Sequence, residues 1–599
     1  MKQDWIDIGP IAELPEGEPA LRKDDAGRRF ACVRQGGEVH ALDDRCPHQG
    51  YPLSQGCVKG GVLTCEWHNW KFELKTGACA FGGEPVRRYS TRVEDGRVYL
   101  NRAIDTGAEV RRLVGGLREA LARDEMPRAL REALRLGQLG IGMVDDGGLG
   151  RLSVAFEVLA RDGSDRAEYG FDHGLALLTD LCSWVERGWV PAEEAFLAAG
   201  HAVAEPSLRL GPRGKQVARG GARAVFESMG GYESPDPTRI VQALEGERRE
   251  EAESRVRELV ETGGAAGARR ALLPFVAQHL YDYGHGAIFL AKAGELADRF
   301  PAVAEDVLAA AAVQLSWATA ETRLPPWAAT RAALERADAI AASGGGSERV
   351  ERVERVERVA PPEDWAREAY EAEVLASERE AVEATTARLE RGADPLGLLQ
   401  AIGHAAAVRL GRFDAAWERR LDAEVGVLDV THAVTFTEAA IALLGSLGGP
   451  PPAREAARLA VLAAGFVGKL RRADAASSEA GAPAARGAGS LLEAVEARDL
   501  GQALACAADL DAPARQRAYA EIAPFAAFDA AVRPIFYAHA VKTTEALRRL
   551  EAADPRADGA YLRALLTYVV PLRPENRVRR NAEVARRFLR DGRPPEGLY

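Results

Sequence analysis

The sequence predicts a multidomain chain, a small all-β sandwich followed by a large all-α region. Three observations carry this. Up to about Asn101, apolar residues alternate in short runs separated by Gly-Gly and Asp-Gly pairs. Beyond it, Ala, Leu, Arg and Glu dominate, and apolar residues recur at helical spacing. At 599 residues the chain is also too long for one hydrophobic core. The expected domains are β structure over 1–103, helices over 105–342, a low-complexity linker over 343–362, and helices again over 363–599.

Taken in order, Gly36-Gly37 lies between the apolar runs 30–34 and 39–42, and Asp95-Gly96 between 89–93 and 97–100. Both are hairpin signals. Gly60-Gly61 precedes Val62-Leu63, which leads into a second loop of interest. The helical part opens with one segment over residues 112–136. Breaks follow at Gly147-Gly148, Pro191, Pro206, Gly230-Gly231 and Pro325-Pro326. The linker begins with Gly344-Gly345-Gly346 and ends at Pro361-Pro362, with a Glu-Arg-Val triplet repeated four times over 348–359. A period of three walks Val350, Val353, Val356 and Val359 around a helix, so a solvated spacer is expected there. Helical texture resumes to about Arg590, broken at Gly448-Gly449-Pro450-Pro451-Pro452 and by an Ala/Gly/Ser-rich loop over 475–490.

A net charge of −11 and a pI near 5.6 argue against nucleic acid as a partner. No run reaches eighteen apolar residues, so no membrane span is expected. The first residues show no apolar signal region. Seven cysteines are too few for a disulfide framework, and a reducing cytoplasm is the expected location.

The chemistry-bearing stretch holds Cys46-Pro47-His48, a gap of sixteen residues, then Cys65-Glu66-Trp67-His68. Two thiolates and two imidazoles suit a binuclear iron–sulfur cluster of mixed ligation, in which a His pair replaces thiolates on one iron. They also satisfy a Cys2His2 zinc site, although zinc sites more often pair Cys with Cys and His with His along the chain. The plain alternative is four unrelated buried residues. Cys57 and Cys79 lie nearby and are expected to be small buried hydrophobes.

Residues 1–103 resemble Rieske domains of the soluble ferredoxin and dioxygenase type. The resemblance rests on Cys46-Pro47-His48-Gln49-Gly50, Pro52-Leu53, Gly56, and Cys65-Glu66-Trp67-His68-Asn69-Trp70-Lys71-Phe72 with Gly77 behind. It implies a 2Fe-2S cluster, with Cys46 and Cys65 on the inner iron and His48 and His68 on the outer one. The respiratory branch joins its two loops by a disulfide. Tyr51 and Trp67 occupy the corresponding places here, which implies the lower end of the Rieske potential range, about −150 mV.

Seven further histidines lie in the helical part: His173, His201, His279, His285, His404, His432 and His539. Six precede Gly or Ala, which lets another helix approach closely. The surroundings of His432 and His539 recur, as His-Ala-Val-Thr-Phe-Thr-Glu-Ala and His-Ala-Val-Lys-Thr-Thr-Glu-Ala. His173 and His201 are 28 residues apart, as are His404 and His432, a hint of duplication. Helical spacing puts His173 with Asp180, His285 with Lys292, and His539 with Lys542. Histidines from several helices can converge on a metal, although each alone also reads as a hydrogen-bonded core residue.

The segments around His285, His404, His432 and His539-Ala540-Val541-Lys542 resemble the helical questin oxidase-like family. That resemblance implies a nonheme-iron oxygenase acting on aromatic polyketides, with iron held by several His and a modified Lys. The candidates carried over are His285, His404, His432, His539 and Lys542. The two-His-one-carboxylate pattern of Rieske oxygenase large subunits is absent, since His279 and His285 are six apart.

The leading expectation is a cytoplasmic oxidoreductase. Its Rieske domain, served by a reductase or ferredoxin, passes electrons to one nonheme iron that oxygenates a small aromatic substrate. The alternative is a Rieske electron-transfer module fused to a metal-free interaction or redox-sensing domain. A zinc hydrolase is a third option without His-Glu-x-x-His support.

Overall fold

Residues that tolerate left-handed backbone sit where the first strands reverse. In the computed structural model Gly36 and Gly37 have φ of 58° and 86°, Gly60 and Gly61 have 60° and 78°, and Asp95 and Gly96 have 49° and 74°. Positive φ at both central residues makes each a two-residue hairpin matched to the strand twist. The structure describes residues 3–139, 149–204, 237–317, 327–343, 366–414, 425–476, 489–529, 534–572 and 578–590, apart from 82, 104, 167–168, 281, 555 and several positions within 578–590. The triplet repeat over 348–359 and most of the 475–490 loop lie outside these residues.

Ten strands follow: β1 (Trp5–Pro10), β2 (Pro19–Lys23), β3 (Arg29–Gln35), β4 (Glu38–Asp43), β5 (Cys57–Lys59), β6 (Val62–Thr64), β7 (Lys71–Glu73), β8 (Cys79–Phe81), β9 (Arg88–Glu94) and β10 (Arg97–Asn101). They form a six-stranded sheet in the order β1-β10-β9-β4-β3-β2 and a four-stranded sheet β5-β6-β7-β8. The pairings between these strands are antiparallel, each hairpin binding its own return strand. Phe30, Val39, Tyr89 and Leu100 fill one core. Leu53, Leu63, Phe72 and Leu74 fill a second, which also takes Cys46 and Cys65. The two loops of interest leave β4 and β6 beside that second core.

The helical part begins with two helices where the sequence suggested one segment. Helix α1 (Thr106–Ala122) and helix α2 (Met126–Gln138) are separated at Asp124, which has φ of 55°. Pro127 in the first turn of α2 suits a helix start, not a helix interior. Both helices fold with the strands. One compact unit comprises Met1–Gly142 and Arg579–Tyr599, and the other Met143–Val578. Glu84, fully buried between β8 and β9, explains the first grouping. It accepts from Arg131 at 3.0 Å and from Arg135, both on α2.

The named elements of Met143–Val578 are all helices. Four matter here, His173–Glu186, His285–Arg299, Val427–Gly445 and Pro534–Ala553. The first and third each pack against the second and fourth. Val427–Gly445 is the most apolar of the four. At 19 residues with mean hydropathy 1.5 it is long and apolar enough to cross a membrane. In this structure 72% of that window is buried among its neighbours, as for a core helix.

Candidate metal centres

The two loops of the β domain have the same shape. The Cys46 N–H donates to Tyr51 O at 2.9 Å, and the Gly50 N–H to Cys46 O at 2.8 Å. Nineteen positions on, the Cys65 N–H donates to Trp70 O at 2.8 Å, and the Asn69 N–H to Cys65 O at 3.0 Å. Gly50 and Asn69 take the matching left-handed positions, with φ of 78° and 59°. Repeating one turn twice brings the like residues together. The Cys46 and Cys65 thiols are buried, free and in mutual contact. The His48 and His68 rings meet edge to face, with centroids 4.6 Å apart.

The donor set fits a mixed-ligand 2Fe-2S cluster. The backbone N–H groups of His48 and Gln49 point at the Cys46 sulfur, and those of Trp67 and His68 at Cys65. Donors aimed at sulfur favour thiolate. The Cys65 thiol is drawn down to about 6, first by the Cys46 contact, against burial and with help from those N–H groups. The His48 Nδ1 is buried and has no hydrogen-bond partner among the described residues, as an unused ligand atom would. Tyr51 and Trp67 face each other with ring centroids 5.7 Å apart, so the disulfide positions of the respiratory branch hold an aromatic pair. Cys57 is exposed, contrary to expectation, because β5 lies at the edge of its sheet. Cys79 is half-buried, its thiol 3.2 Å from Phe81 O.

In the helical unit the structure brings together His285, His432 and His539 and adds His173. Their ligand atoms all lie within 4.8 Å of one another. Nε2 of His285 is 3.1 Å from Nε2 of His173 and 3.0 Å from that of His432, and His432 Nε2 is 3.2 Å from His539 Nε2. The outward nitrogens are committed. His432 Nδ1 donates to Leu428 O at 2.6 Å, and His539 Nδ1 to Ile535 O at 2.7 Å. His285 Nδ1 lies 3.1 Å from the Asp282 carboxylate. Holding the proton on Nδ1 leaves a lone pair on the inward Nε2 of these three. Burial, then the charge of Lys542, holds His173 and His432 well below the ordinary imidazole value, and does the same for His539. Facing lone pairs at 3.0 Å repel each other unless a cation lies between them.

Lys542 lies one helical turn after His539, 1% exposed, and its side-chain nitrogen has no hydrogen-bond partner among the described residues. Burial draws it down to about 7. Seven residues beyond His173 and His285, Asp180 accepts from Lys292 at 2.7 Å. Further along, Arg549 binds Glu295 at 2.9 Å and Glu438 at 3.1 Å. The four helices therefore run parallel, with the histidines at their N-terminal ends and charged layers following. Neighbours separated by 107 to 147 residues need long crossovers, which the remaining helices supply.

His404 does not join the cluster. Its Nδ1 lies 2.8 Å from Glu371 and its Nε2 3.2 Å from Asp558. Two carboxylates hold both nitrogens and favour the charged ring, so neither nitrogen is turned toward the other histidines. His279 is likewise engaged by Glu245 at 2.8 Å. His173 carried a usable signal. Like His285, it opens its helix and precedes Gly.

The turn before His285 is strained. Asp282, Tyr283 and Gly284 have φ of 51°, 56° and 80°. A left-handed non-glycine residue costs roughly 1–2 kcal/mol. Gly284 is required twice over, since a Cβ there would lie 2.5 Å from Phe436 Cδ2.

The Rieske [2Fe-2S] domain family matches residues 4–89. The ferredoxin subunit of anthranilate 1,2-dioxygenase from Burkholderia cepacia is 41% identical over 101 residues, covering 16% of this chain and 92% of that protein. The ferredoxin component of the naphthalene 1,2-dioxygenase system from Pseudomonas aeruginosa is 30% identical over 103 residues, 17% of this chain and 98% of its own. A 4beta-methylsterol monooxygenase from Methylococcus capsulatus is 40% identical over 86 residues, 12% of this chain and 23% of that protein.

Proposed function

Through residues 4–89 the chain belongs to the Rieske [2Fe-2S] domain family, a ferredoxin-like electron-transfer domain, and on that premise we propose that the whole chain is an oxygenase-type oxidoreductase. A reductase or ferredoxin would charge the Rieske domain. The helical unit would hold one nonheme iron through His173, His285, His432 and His539 and oxygenate a hydrophobic aromatic substrate. When bound, the cluster supplies electrons singly and the nonheme iron a place for dioxygen to be reduced.

The observation that carries this reading is the convergence of four inward Nε2 atoms with the outward nitrogens of three committed elsewhere. The carbonyls of Leu428 and Ile535 and the Asp282 carboxylate fix ring tautomer and orientation. Imidazole suits iron, and Lys542 stands beside the same centre. The resemblance to questin oxidase-like proteins singles out His285, His404, His432, His539 and Lys542, of which all but His404 stand at this centre. It also supports the aromatic substrate class and the view of Lys542 as a modified ligand.

Iron counts on the full chain, reconstituted anaerobically, test the proposal. Wild type should hold about three irons, two in the cluster and one between the helices. His432→Ala should hold about two, with the cluster spectrum unchanged. About two irons in folded wild type, with no change in the variant, would overturn it. The chain would then be a Rieske module fused to a metal-free helical domain.

A further inference from the structure

The four-histidine centre has one aromatic neighbour that packing does not explain. Tyr283 is 52% exposed, yet its ring lies 5.5 Å from that of His432 with the planes 32° apart. Its hydroxyl hydrogen-bonds the Asp429 carboxylate in the first turn of the His432 helix. Asp282 on one side holds His285, and Gly284 on the other is pressed against Phe436. The chain thus keeps a bulky residue left-handed, where Gly or Asn would be at ease, and leaves half of the ring in water. His285, His432 and His539 are buried and His173 is partly exposed. Strain of this kind persists where the surroundings over-determine it, and it clusters at ligand clamps.

We propose that Tyr283 is the substrate-binding aromatic of the four-histidine centre, a shelf on which a planar aromatic ring stacks beside His432. Asp429 is the positioning residue that fixes the shelf's angle through the hydroxyl. The inference rests on the metal-centre reading above and adds the recognition element. A flat ring gains offset stacking on Tyr283, and its edge then faces the imidazole cluster. An aliphatic ligand of equal size gains burial alone.

The test uses the full chain, with metal content measured on every sample. The probe is 2-naphthol, followed by its fluorescence, with cyclohexanol as the aliphatic control. Wild type should bind 2-naphthol and favour it over cyclohexanol at least tenfold. Tyr283→Ala should weaken 2-naphthol at least tenfold and leave cyclohexanol within threefold. Tyr283→Phe keeps the stacking face but loses the contact with Asp429, so it should fall between wild type and Tyr283→Ala for 2-naphthol. Asp429→Asn acts through the same contact and should weaken 2-naphthol no more than Tyr283→Phe does. Tyr283→Gly, which relieves the left-handed strain, should melt no lower than wild type yet bind like Tyr283→Ala. Wild-type affinity in Tyr283→Ala, or no 2-naphthol binding by metal-loaded wild type, would overturn the proposal. Wild type lacking metal in the helical unit would overturn the metal-centre reading instead, and the iron count separates the two failures.

Discussion

Lys542 is buried without an anion in hydrogen-bond contact among the described residues. Its neighbours are four imidazoles, the Asp282 carboxylate, the Asp180–Lys292 pair and the Phe289 ring, 5.9 Å from its side-chain nitrogen. A lysine drawn down to about 7 is protonated in the unfolded chain over a range where the folded chain prefers it neutral. Stability is therefore withheld below pH 7. It is regained as pH rises toward the unfolded value, near 10.4. In metal-free protein, Lys542→Met should raise stability by a few kcal/mol at pH 6 and by little near pH 11. Urea melts with chelator at the two pH values check this. A gain that does not shrink with pH would mean that packing, not charge, governs the site. Lys542 was legible in the sequence because it follows His539 by three residues, on the same helical face. Its isolation was not legible, since a partner's absence depends on which helices pack around it.

Among elements, the segment Arg367–Ala376 is tied to its neighbours by charge. Arg367 and Glu371 reach Asp554 and His404, and His404 reaches on to Asp558. Burial opposes the charged ring, yet hydrogen bonds to Glu371 and Asp558 raise the His404 pKa overall. The group's stabilisation is then fully present below the unfolded value near 6.5. It is lost as pH rises through the raised folded value. His404→Phe should lower stability by roughly 1–3 kcal/mol at pH 6 and by less at pH 9, read from thermal melts. The same residue shows where sequence spacing misleads. His404 shares the 28-residue interval and the small following residue with the histidines that do converge. Only the carboxylates at 371 and 558, distant in sequence, distinguish a structural imidazolium from a ligand. The strands were easier to place, because Gly36-Gly37, Gly60-Gly61 and Asp95-Gly96 fix their turns locally. The break at Asp124 was missed because a single non-glycine residue turned left-handed there.

For the whole molecule, the two centres belong to different compact units. The first was legible because each loop keeps its ligands within four residues, so local turns build it. The second needs four helices to run parallel, an arrangement with no short-range signature. Separate units with separate cores predict separable failures. His68→Ala removes one cluster ligand and should abolish the visible absorbance, while the thermal transition of the helical unit stays put and iron falls to about one per chain. Asp282→Asn touches only the second centre. It weakens the orienting contact on His285 Nδ1 and should lower metal affinity there by roughly 10–100-fold. The cluster spectrum should be untouched. Loss of both centres in either variant would mean that the units fold as one cooperative body, and metal content would then report global unfolding, not the ligand removed.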